Sequence, residues 1–161
     1  MAHYLRGDIF AVSEERSCQL AIVFGHIGLN HMSLMWKEFS QSVPSIAQIR
    51  DPFSELSGRA FQHAVGRWLW FVAENDNHGM TDSQLKDALD SALSWAQANC
   101  IKTVITNGVS DVDHGCDSNA NRRSDDRRVE MIKKYACERE IDTGMEITLI
   151  SLNDAFTRPS Q

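Results

Sequence analysis

Ile101–Asp113, IKTVITNGVSDVD, is the stretch from which the rest of the chain can be placed. Lys102 to Thr106 alternate and branch like a short buried strand. Asn107-Gly108 then breaks the strand, and a polar loop rich in Asp and Asn follows. Ligands of parallel α/β sheets sit beyond the carboxyl ends of the strands, so this strand end is the first candidate site. The connection read as Asn107–Arg123 is far longer than the roughly 2–6 residues usual in such units, as functional loops often are.

Working outward, two other apolar runs have strand length. Gln19–Phe24, QLAIVF, has the continuous pattern of a strand covered on both faces, and Gly25 is expected to end it. Trp68–Ala73, WLWFVA, is rich in β-formers and is closed by the turn residues Glu74 to Asn77. Met145–Leu152, MEITLISL, reads as a final strand. Between the last two, Thr81-Asp82-Ser83-Gln84 has the form of a capping box, and Leu85, Ala88, Leu89, Ala92 and Ala96 follow on one helical face. Ser124 is expected to cap a second helix whose buried stripe is Val129, Ile132, Tyr135 and Ala136. Met32, Met35, Trp36 and Phe39 have helical spacing and suit a core-facing stripe. Val43–Gly66, punctuated by Pro44 and Pro52, gives no clear pattern. Alternating strands and helices from Trp68 to Leu152 predict βαβ units and a mostly parallel sheet in an α/β fold.

Composition limits the function. At 161 residues the chain has the length of one domain with a proper core, 42% hydrophobic and 24% charged. A net charge of -6 argues against a general nucleic-acid or anionic-membrane binder, either of which needs a basic face. Four scattered cysteines suit free thiols in a reducing cytoplasm better than a disulfide framework. The opening MAHYLRGDIF lacks the apolar run of a signal segment, and no run reaches membrane-spanning length, so a cytoplasmic protein is expected. Asp113-His114-Gly115-Cys116-Asp117 has metal-capable side chains without the spacing that lets ligands converge, so no metal and no cofactor is expected. The arginines at 122, 123, 127 and 128 suit phosphate, but Asp125 and Asp126 between them favour a solvated ion-pair network. Serine-hydrolase, Walker and dinucleotide glycine motifs do not occur.

The order of elements, together with Leu5-Arg6-Gly7-Asp8-Ile9-Phe10, resembles a macrodomain, the fold that binds ADP-ribose, and within it the terminal ADP-ribose glycohydrolase subfamily. The resemblance runs from about Leu5 to Phe156. It implies a three-layer α/β/α fold with a mixed, mostly parallel sheet, one domain over residues 1–156 and a polar tail over 157–161. It also implies a small nucleotide ligand, ADP-ribose or an NAD-derived relative. Asp8, with Ile9, would meet the adenine amino group, an acceptor facing a donor; a turn aspartate bonded to its own backbone is the rival reading. Gly25, His26, Gly28 and Asn30 would form one phosphate loop, and Asn107, Gly108, Val109, Ser110 and Asp113 the other. Both loops carry fewer glycines than the family pattern. Asn30 and Asn107 suit ribose hydroxyls or the capping of strand ends. Phe156 would stack on adenine or fill the core. Asp111 falls where the family's catalytic aspartate stands, but Glu74-Asn75 replaces its lysine, so the covalent route is closed. The resemblance therefore implies a binder without efficient turnover. Its alternatives are an ADP-ribosyl hydrolase or ADP-ribose phosphatase using Asp111, and a protein interaction module on a filled fold.

Overall fold

The structure is a computed structural model that describes residues 3–26, 40–41, 49, 52–74, 81–108, 119–152 and 154–157, with the backbone alone at 26 and 119–126. In chain order its elements are β1 (His3–Arg6), α1 (Ile9–Glu15), β2 (Leu20–His26), α2 (Pro52–Glu55), β3 (Ala60–Ala64), β4 (Arg67–Glu74), α3 (Asp82–Ala98), β5 (Thr103–Thr106), α4 (Asn119–Thr143) and β6 (Glu146–Ser151). They build an α/β fold on a six-stranded sheet ordered β1-β6-β5-β2-β4-β3. All neighbours pair in parallel except β3, which runs antiparallel to β4 at the edge.

Strand alternation divides the core in two. Leu20, Ile22 and Phe24 of β2, with Trp70 and Val72 of β4, face one side and pack with Leu85, Leu89 and Ala92 of α3 and Ile132 and Tyr135 of α4. Ala21 and Val23, with Leu69 and Phe71, face the other and pack with Ile9 and Phe10 of α1 and Phe53 of α2. Both faces are covered, which explains why QLAIVF and WLWFVA read as unbroken apolar runs.

The capping box is present as the sequence predicts. Thr81 Oγ1 accepts from the Gln84 N–H at 3.1 Å, and Gln84 Oε1 accepts from the Thr81 N–H at 3.0 Å. The two long helices are locked where Tyr135 donates its hydroxyl proton to Asp90. The guanidinium of Arg139 lies over the Tyr135 ring at 4.9 Å and approaches Asp90 at 3.1 Å. That lock sets the position of Ile132 one turn away.

Several boundaries differ from the sequence reading. Gly25 does not end β2 but lies inside it, because the ring of Phe53 occupies the place a side chain would take. Helix α4 starts at Asn119, so Ser124 is an interior residue and the preceding connection is shorter than expected. Val43–Gly66 holds two elements that its composition hid, α2 and β3. The stripe of Met32, Met35, Trp36 and Phe39, and the stretch from Asp113 to Asp117, lie outside the described residues. Cys18, Cys100 and Cys137 are free thiols. Among the described residues no helix is long and apolar enough to cross a membrane.

His63 sits at the irregularity between Gln62 and Ala64 in the β3–β4 pairing and is 8% exposed. Burial, helped by the charge of Arg67, lowers its pKa from 6.5 to about 4. The folded protein therefore holds His63 neutral, while the unfolded chain takes up a proton near the ordinary value. Acid therefore penalises the fold through this group, not at all above pH 6.5 and increasingly as pH falls toward about 4. The penalty amounts to about 3 kcal/mol across that window. Urea midpoints measured through the window should fall with pH, and His63→Gln should flatten the slope. A wild-type midpoint that stays level would refute the assignment.

Candidate functional site

β2 and β5 are neighbours, yet the chain leaves β2 toward β4 and β3 and leaves β5 toward β6. Their carboxyl ends therefore flank a topological switch point, where open α/β sheets have their crevice. β5 stops earlier than β2, with Thr106 opposite Ile22 as the last pair. Beyond it, β2 turns main-chain polar groups toward a strand that is no longer there.

Asn107 fills that gap with its side chain. Its Oδ1 accepts from the Phe24 N–H at 2.8 Å, and its Nδ2 donates to the Phe24 carbonyl at 2.9 Å. The amide thus continues the ladder for one more residue, with Asn107 only 3% exposed. By alternation the main chain of His26 turns the same way, just past the Asn107 amide. Asn107 is consequently a clamp across the strand ends rather than a free ribose ligand.

Close packing requires the glycine at 25, and backbone conformation favours the one at 108. A Cβ on Gly25 would fall within 2.8 and 2.9 Å of two ring carbons of Phe53 and nearer still to a third. Gly108 has φ +61, and a Cβ there would lie 3.1 Å from Ile132 and 3.8 Å from Phe156. Its N–H donates to Thr106 Oγ1 at 3.1 Å. Phe156 is 1% exposed and belongs to the core beside Ile132, so a stacking platform for adenine is replaced by a buried ring under the site. No family model matches this chain, and no curated protein does.

Asp8 lies just past the carboxyl end of β1, where the Gly7 N–H donates to the Ser151 carbonyl at 2.8 Å. It is the N-cap of α1, with one carboxylate oxygen accepting from the Phe10 N–H at 3.0 Å. Ile9, the first residue of that helix, is 5% exposed and points into the core. Of the other expected residues, Gly28, Asn30, Val109, Ser110, Asp111 and Asp113 lie outside the described residues, as does the side chain of His26.

The structure adds one group that the sequence reading passed over as turn chemistry. Glu74 is the last residue of β4, stands in register with His26, and is buried. A carboxylate directly after six apolar strand residues is the available signal. The described floor therefore combines a closed amide clamp, two packed glycines and a buried acid at the carboxyl ends of β5, β2 and β4.

Proposed function

We propose that this chain binds ADP-ribose or a related NAD-derived nucleotide, cyclic signalling variants included, and holds it without efficient turnover. The proposal includes a three-layer α/β/α macrodomain-like arrangement, supported by the two cores on opposite sides of the sheet. The observation that carries the binding reading is the placement of Asp8 relative to the switch point. Both lie at the carboxyl edge of the sheet, with β6 and β5 between β1 and β2. At roughly 4.8 Å per strand the span is about 14 Å, which leaves room for a base at Asp8 and the diphosphate of a nucleoside diphosphate sugar at the switch point.

Calorimetric titration with ADP-ribose, cyclic ADP-ribose and NAD is the direct test. Saturable heat with at least one of them is expected. Asp8→Asn should weaken binding by about 10–100-fold, the worth of a hydrogen bond to a charged acceptor. Asparagine caps helices as well as aspartate, so the fold should be unaffected. No heat and no melting shift at millimolar ligand would refute the proposal.

A second reading, a protein interaction module on a filled fold, is favoured by the Phe53 ring seated against Gly25 and by the saturated Asn107 amide. It predicts that none of the three nucleotides binds while the protein remains folded. Saturable binding of any of them would exclude it.

A further inference from the structure

Asn107-Gly108 is the one Asn-Gly pair in the sequence. In an unfolded chain such a pair is the most prone of all to spontaneous deamidation, because glycine offers its backbone nitrogen no steric shield. We propose that Asn107 is a guarded deamidation site: the fold holds the reaction off, and any opening of the β2–β5 switch point lets it proceed and makes the opening permanent.

The chemistry needs no enzyme. The Gly108 nitrogen attacks Asn107 Cγ, forming an N–C bond. The Cγ–Nδ2 bond breaks, and ammonia leaves with the proton that Gly108 has lost. Water then opens the resulting succinimide at either carbonyl, giving aspartate or isoaspartate. The net change is one water consumed and one ammonia released.

Three features of the fold oppose the first step. The two hydrogen bonds between the Asn107 amide and Phe24 tie the side chain across the sheet, so its carbonyl carbon is not free to turn onto the Gly108 nitrogen. The Gly108 N–H is held by Thr106 Oγ1, and the glycine backbone sits in the left-handed region at φ +61. Thr106 and Asn107, at 2% and 3% exposed, exclude the base and water that both steps need. The product in turn opposes reclosure. An aspartate at this position keeps the acceptor for the Phe24 N–H but sets an anion against the Phe24 carbonyl. An isoaspartate adds a methylene to the backbone where β5 hands over to its clamp.

The test compares the full chain folded in mildly alkaline buffer with the same chain in urea, using peptide mass mapping and isoaspartate labelling over time. Asn107 is expected to convert at least about tenfold more slowly in the folded protein, as for chemistry that waits on local opening. Thr106→Val, nearly the same in shape but lacking the Oγ1 acceptor, is expected to speed conversion in the folded state; melting measured alongside separates this from global unfolding. Asn107→Asp is expected to reproduce the lowered melting of the converted fraction. Equal rates in the two states, or no conversion at Asn107 in urea, would overturn the proposal. So would an Asn107→Asp variant that melts with the wild type.

Discussion

Replacing Asn107 with alanine is expected to cost about 3 kcal/mol, because two main-chain groups of Phe24 lose their partners at a buried position. Leaving a buried donor or acceptor unpaired costs roughly 1–3 kcal/mol each, and domains of this size have only about 5–15 kcal/mol in hand. Chemical denaturation should therefore show a large drop in midpoint with the slope unchanged. Asn107→Asp separates the two bonds. It keeps the acceptor and loses the donor at neutral pH, and regains a donor once the carboxyl is protonated. Its deficit relative to wild type should shrink as pH falls, opposite in sign to the acid loss caused by His63. An Asn107→Ala variant as stable as wild type would mean that water satisfies Phe24 equally well, and the clamp would lose its assigned role.

Gly25→Ala is expected to be nearly as damaging, at about 2–3 kcal/mol, the cost of forcing a methyl into a filled core. The added carbon would meet three ring atoms of Phe53, itself 3% exposed and set edge-on to Phe71 at 5.3 Å. No small rotation frees a ring so enclosed. Phe53→Leu alone leaves a void and should also destabilise. The double variant should be clearly better than the sum of the two, since each change relieves the other. Strict additivity would show that the clash is relieved elsewhere. The pair also bears on function: with Phe53 reduced, any nucleotide affinity that the ring obstructs should rise.

What the sequence discloses about this fold follows from how local each cause is. QLAIVF and WLWFVA announce themselves because both faces of β2 and β4 are buried, and Thr81-Asp82-Ser83-Gln84 because a capping box is complete within four residues. Ala60–Ala64, AFQHA, lacks β-branched residues and is a strand only because it pairs with β4. The start of α4 is hidden because its first turns, NANRRSDD, are polar apart from Ala120, leaving Ser124 as the strongest local signal. The site was half visible. Strand ends and glycines mark the switch point, but a lone asparagine after a strand reads as a turn, and nothing nearby indicates a bond to Phe24. Phe156 has the same difficulty: one aromatic beyond the last strand has no periodicity, and its burial depends on Ile132 and Gly108.

The pairing of β1 with β6 has a consequence for how the protein comes into being. His3 meets Thr148 and Arg6 meets Ser151, and among the described residues β1 pairs with no other strand. During synthesis at about 5–20 residues per second, β1 must wait on the order of ten seconds for its partner to be made. Throughout that time it is an open strand able to pair with a neighbouring nascent chain. Its length of four residues and its exposed ends at His3 and Arg6 keep that hazard small. Closure of the sheet on this side therefore waits on β6, and the Gly7 N–H beside Asp8 finds its acceptor only when Ser151 is there to receive it.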